Sequence, residues 1–267
     1  MDHTFIAAAL GAVIGLVLAL TGAGGGILAI PLLVFGLHLS VLQAAPVGLA
    51  AVGIASAVGA VLGLRQGIVR YRAAGVIGVC GMVMAPLGVA LAHRLPDQPM
   101  LALFAGVMAY AAWRMLRQSG APEDAAQSDL PCHVNAAQGR LVWTSRCART
   151  MVGIGALSGL LSGLLGVGGG FVIVPALSRT TGLEIRSVQA TSLAVIALVS
   201  ISGLAAAIWQ GALVWSLAAP FVLGATAALL LGRQLASKVP AAHLRQAFAW
   251  LSLAVAALMI ARAMHLL

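Results

Sequence analysis

Apolar residues in this chain come in long uninterrupted blocks separated by short polar breaks. Blocks fall at about 4–21, 44–64, 73–93 and 99–116, and again at about 151–166, 188–208, 213–232 and 244–264. None shows the two-residue alternation of a half-buried strand, and most approach the about 20 residues that a hydrocarbon core requires of a helix. They predict eight spanning helices. Two shorter apolar stretches, 27–37 and 171–178, interrupt the rhythm. The longer would reach about 16 Å as a helix, half the hydrocarbon thickness, so both predict a broken or re-entrant half-helix. Glycines precede each stretch and a proline sits inside each, Pro31 and Pro175; both residue types interrupt regular helix.

Composition turns this pattern into a class. Of 267 residues, 61% are apolar and 8% charged, against about 45–50% and about 25% in soluble domains, and the mean hydropathy is +1.06. So few charges cannot cover a water-facing surface. Continuous apolar runs also argue against a lipid-facing β-barrel, whose strands alternate in segments of about ten residues. The expected fold class is an all-α polytopic membrane protein, embedded in the lipid bilayer. The formal charge of +9 comes from 14 arginines and one lysine, mostly at block ends, where topology signals and headgroup contacts belong. Aromatic residues are few and no recognition pattern accompanies the charge, so nucleic acid is not a partner. The first block reads as a span and not a signal peptide, because its head lacks Lys and Arg and the block recurs later. Of the three cysteines, Cys80 reads as a small hydrophobe, while Cys132 and Cys147 permit a disulfide without demanding one. Their spacing matches no zinc site.

The blocks repeat. Gly24-Gly25-Gly26 and Pro31 match Gly168-Gly169-Gly170 and Pro175 at an offset of 144 residues, and Gln43-Ala44 matches Gln189-Ala190 at 146. The offset returns to 144 for Gln66-Gly67 with Gln210-Gly211, Leu87-Gly88 with Leu231-Gly232, Pro96 with Pro240 and Phe104 with Phe248. The chain therefore reads as a first membrane repeat over 1–116, a polar linker over 117–149 and a second membrane repeat over 150–267. Each repeat has four full spans and one half-helix. With four spans per repeat, both copies point the same way. The basic residues then divide nine against six, and the larger share puts the linker and both termini in the cytoplasm. If each short stretch also crosses, five spans per repeat make an inverted pair, an arrangement common in transporters.

The candidate site starts from the glycines. Gly24, Gly25 and Gly26, and Gly168, Gly169 and Gly170, stand before the half-helices. No Lys-Ser/Thr follows and no strand precedes, so a nucleotide loop is excluded. Two readings remain: close helix packing by small residues, or unwound backbone whose free N–H groups attract an anion near mid-membrane. Gln43 and Gln189 occupy equivalent places after the half-helices, and Thr191-Ser192 follows the second. Amides and hydroxyls donate to an oxyanion without carrying charge, although they also bond neighbouring helices. The acids Asp2, Asp97, Glu123, Asp124, Asp129 and Glu184 all fall at block ends or in the linker, so no carboxylate proton relay is expected. No catalytic group, metal ligand set or cofactor is expected, which disfavours an enzyme.

Two copies of a Gly-x-Gly-Gly-Gly…Pro segment carry a family likeness: Gly22 to Gly26 with Pro31, and Gly166 to Gly170 with Pro175. With about eight spans and a polar mid-chain linker, they resemble the TauE/SafE sulfite exporter family over nearly the whole chain outside the linker. Ala190-Thr191-Ser192-Leu193-Ala194 is similar to the family's Thr-Ser segment, whereas the first copy has Ala45-Pro46-Val47-Gly48 and no hydroxyl. The resemblance implies a transporter of sulfite, sulfonates or related anions in a bacterial inner membrane. The expected substrate is a small anion bound where the repeats meet. The alternative is a non-transporting scaffold or subunit of a larger complex. A homo-oligomer is compatible with the sequence.

Overall fold

A chain segment inside hydrocarbon must satisfy its own N–H and C=O groups, and a helix does so locally. Each apolar block is accordingly helical. The computed structural model describes residues 2–21, 25–118, 131–132, 134–135, 140–141, 143–236 and 241–264. These form α1 (Asp2–Thr21), α2 (Ala29–Gly36), α3 (Val41–Arg65), α4 (Tyr71–Ala92), α5 (Asp97–Gln118), α6 (Ser145–Leu165), α7 (Gly170–Thr180), α8 (Ile185–Trp209), α9 (Trp215–Ala236) and α10 (Ala241–Ala263). A single 3-10 turn, Gly25–Leu28, leads into α2. In the linker, β1 (Val134–Asn135) pairs antiparallel with β2 (Arg140–Leu141). The protein is an all-α polytopic membrane protein with four long helices and one short helix on each side of the linker. Several helices outrun their apolar blocks because polar residues cap them: Ser40 and Gln43 form a capping box on α3, and the Thr144 hydroxyl accepts from the Cys147 N–H on α6.

The helices from the two halves interlock. α1 packs on α9, α6 on α4, and α3 on α8, with α5 against α10. Their registers give the directions. A side chain on Gly11 would strike Phe221, and one on Gly15 would strike Ala225, so α1 and α9 are parallel. Gly155, Gly159 and Gly163 likewise meet Ile77, Gly81 and Ala85, making α6 parallel to α4. In the centre, Gly53 faces Ser200 and Gly59 faces Leu193, so α3 and α8 run antiparallel. The close approaches rest on glycine because van der Waals contact between backbones is what holds helices together in lipid. Outward positions carry large apolar side chains, such as Leu223 (71% exposed) and Val83 (62%), the pattern of a lipid-facing surface.

These directions correct the expected chain path. Consecutive α3–α4 and α8–α9 pairs reverse through short turns, so α1 runs the same way as α3, and α6 the same way as α8. The segment between each pair must bring the chain back. It does so against the preceding helix: Gly25 touches Leu18 and Gly36 touches Leu10, while Gly169 touches Ser158 and the Cys132 N–H donates to Thr180 O (3.1 Å) beside the Cys132–Cys147 disulfide. Each half therefore traverses an odd number of times. The two five-helix series run in opposite senses, and the termini lie at the end away from the linker. The arrangement with both termini beside the linker is overturned, because a return segment that only dipped in and out would leave α1 and α3 antiparallel.

The arginines now sort sharply. Twelve of the 14 lie at the linker end, and Arg94 and Arg262 lie at the other, with Arg262 stacked over the Phe35 ring at 5.5 Å. We expect alkaline phosphatase fused after Leu267 to report the opposite side from a fluorescent protein inserted at Ala125. The same side for both would restore the four-span path.

Candidate functional site

The two chain breaks meet in the middle of the molecule. Gly166, Gly168 and Gly169 all adopt positive φ, 69°, 72° and 69°, a backbone that L side chains avoid. This turn drops the chain from the end of α6 to the level of Ser158, where a Cβ on Gly169 would lie 2.6 Å from the Ser158 carbonyl oxygen. The first break approaches from the other half: a Cβ on Gly26 would lie 2.8 Å from Val167 O and 3.0 Å from Val52 Cγ1. Val52 also borders Gly168, at 3.1 Å from its Cβ position, opposite Ile196 at 2.7 Å. Gly26, Val167 and Gly168 are thus in one layer with α3 and α8.

Two features give this layer a positive character. α7 begins at Gly170 with Gly169 as a cap that supplies no side-chain acceptor, so the first-turn N–H groups carry the positive end of the helix dipole into the protein interior. The 3-10 turn before α2 is buried throughout. Glycine keeps side chains away from the backbone here, which suits a small ligand that must reach N–H groups.

Of the residues singled out from sequence, Gly24 lies outside the described residues. Gly25 is spent on contact with Leu18 and Val17 of α1, and Gly169 on contact with Ser158 of α6, whereas Gly26 and Gly168 belong to the central layer; Gly170 is buried at the start of α7. The glutamines are not brought together. Gln43 is exposed at the far end and Ser40 N donates to its Oε1 (3.3 Å). Gln189 sits at the linker end, donating from Nε2 to Thr21 O (3.3 Å). Thr191 and Ser192 are wholly buried. Thr191 Oγ1 accepts from Arg70 N (3.0 Å), joining α8 to the start of α4, and Ser192 Oγ has no partner among the described residues. Arg70 Nε is also buried without a partner among the described residues. From sequence, Arg70 is one of five block-end arginines, with Arg65, Arg72, Arg179 and Arg186, that offer an anion an entrance outside the site itself. Two further serines, on α3 and α8, carry no such signal in the sequence.

The chain's likeness to known proteins can be set beside this geometry. The family described as sulfite exporter TauE/SafE matches residues 7–259. The chain belongs to the TauE/SafE family. Two relatives from Xylella fastidiosa, each named "Probable membrane transporter protein", are similar along their length. The protein from strain 9a5c is 28% identical over 256 residues, covering 94% of this chain and 93% of the relative. That from strain Temecula1 is 30% identical over 261 residues, covering 94% and 93%. No solved structure matches. A TauE/SafE chain that has, among its described residues, six helices long and apolar enough to cross a membrane is a multi-pass inner-membrane transporter, not an enzyme.

The turn gives a direct test of close approach. Gly169→Ala meets both positive φ and the Ser158 carbonyl, whereas Gly211→Ala meets only positive φ, with nothing within 4 Å. The strain alone costs about 1–2 kcal/mol and crowding adds about 1–3 kcal/mol. Thermal unfolding in detergent should therefore show the larger drop in Tm for Gly169→Ala. Equal drops would mean that the break is loosely packed.

Proposed function

We propose that this protein exports a small sulfur oxyanion, sulfite or a sulfonate, through a site between two homologous repeats of opposite sense. The observation that carries the reading is the meeting of two glycine breaks, one from each half, with Gly26 against Val167. A break in a membrane helix costs backbone hydrogen bonds unless it faces a cavity or another part of the protein. Here both breaks face each other, and the buried dipole end of α7, which has no side-chain cap, favours negative charge. The family description supports the cargo class, and the two transporter-named relatives support transport.

The arginine-rich end is the cytoplasmic one by the positive-inside rule. The Cys132–Cys147 disulfide lies at that same end, although disulfides persist mainly outside the cytosol. Twelve arginines outweigh one cystine as a topology signal, and burial of both cysteines shields the bond from cytosolic thiols. Cargo then enters past Arg70, Thr191 and Ser192, reaches the glycine layer and leaves by the end holding Arg94. The tight packing of Gly26 on Val167 closes the path, so passage requires the two halves to part there. All six carboxylates lie at helix ends or in the linker, which favours a uniport over proton coupling. A monoanion leaving an inside-negative cell gains about 2.3 kcal/mol per 100 mV, or roughly 50-fold in concentration.

Proteoliposomes test this reading. Sulfite efflux should exceed that of protein-free vesicles and accelerate under an inside-negative potential. An accumulated gradient that persists once potential and ion gradients are clamped to zero would overturn the uniport. No efflux of sulfite or alkyl sulfonates from folded protein would favour a scaffold instead. Gly169→Leu should abolish flux while membrane expression persists, and normal flux would return the motif to plain packing.

A further inference from the structure

Buried hydroxyls in membrane helices usually bond to a carbonyl one turn back. Ser158 donates to Gly155 O (3.1 Å) and Ser202 to Val199 O (3.1 Å) in this way. Ser56 on α3 and Ser200 on α8 do not. Both are buried, 0% and 3% exposed, and neither Oγ has a partner among the described residues. An unsatisfied buried hydroxyl is costly and needs a reason. The two serines also occupy equivalent places, since the 144-residue offset that relates Gln66-Gly67 to Gln210-Gly211 carries position 56 onto position 200.

Their location supplies the reason. A Cβ on Gly53 would lie 3.0 Å from Ser200 Oγ, and one on Gly168 would lie 3.7 Å from it. Ser56 is one turn along α3 from Val52, the side chain that borders both Gly26 and Gly168. The pair thus stands where α3 and α8 cross, next to the layer in which the breaks meet. We infer that Ser56 and Ser200 are cargo-binding residues whose hydroxyls donate to separate oxygens of the transported oxyanion. The inference rests on the transport reading above. A neutral donor from each half suits an anion that must be released again, because it holds the charge without an ion pair. Two donors on opposite helices also select cargo with at least two terminal oxygens, as sulfite and sulfonates have.

The test uses Ser56→Ala, Ser200→Ala and the double variant, with Ser252→Ala on α10 as a comparison. Ser252 Oγ is likewise buried and without a partner among the described residues, but α10 packs on α5 and α1, away from the breaks. Two quantities are read: the KM for sulfite efflux, and the rise in Tm that sulfite gives the purified protein. A hydrogen bond to a charged group is worth enough that each central variant should raise KM about tenfold or more, and the sulfite-dependent rise in Tm should shrink. Tm without anion should hold or increase, because alanine removes no internal hydrogen bond. Ser252→Ala should match wild type in both. Wild-type KM and an undiminished Tm response in both central variants would overturn the serine assignment alone. A wild-type protein that neither moves nor is stabilised by sulfite or alkyl sulfonates would overturn it together with the transport reading.

Discussion

Close backbone contact between parallel helices from different halves is the constraint on which this architecture depends. α6 lays Gly155, Gly159 and Gly163 on α4, and α1 lays Gly11 and Gly15 on α9. Lipid offers no hydrophobic drive for helices to associate, so affinity must come from approach close enough for dispersion to accumulate. Glycine every fourth residue makes a smooth groove on one helix face. Because each half lends its first helix to the other half's fourth, neither half is complete alone. α1 and α6 are held on the outside of the central α3–α8 pair, and the chain can rejoin that pair only by turning back through the middle. The glycine breaks follow from that requirement.

Reversal also places chemistry. The first-turn N–H groups of α7, whose satisfaction would normally fall to a side-chain cap or water, end up inside the protein. The same turn puts Gly168 between Val52 and Ile196, one from each half. Charge is kept to the ends, with twelve arginines at one face and two at the other. On the proposed path an anion meets cations before entry and dipoles and hydroxyls inside.

Much of this was legible in the residues. The eight long helical segments and the two short ones could be located from apolar blocks, and the offset of 144 residues named the matching breaks. The direction of return could not be read the same way. Hydropathy says that 171–178 is in the membrane, not which side it ends on, and eight residues reach only about 12 Å as a helix, too short to cross. The missing distance is covered by the turn at Gly166 to Gly169, which falls back to the level of Ser158 before α7 starts. The glutamines misled for the same reason: opposite senses send Gln43 and Gln189 to opposite ends, where each serves a helix terminus. Ser56 and Ser200 were available to the offset rule, but a serine inside an apolar block carries no signal until its hydrogen bonding is seen.

The central claim is that the layer where the breaks meet must open for cargo to pass. Val52 and Ile196 meet there over Gly168, and the 144-residue offset relates them. Cysteines placed at both positions, in a chain with Cys80, Cys132 and Cys147 replaced by serine, would tie α3 to α8 on oxidation. The account predicts that the cross-link forms in the membrane, stops sulfite efflux and releases it on reduction. Full efflux by the cross-linked protein would show that cargo does not pass between the halves.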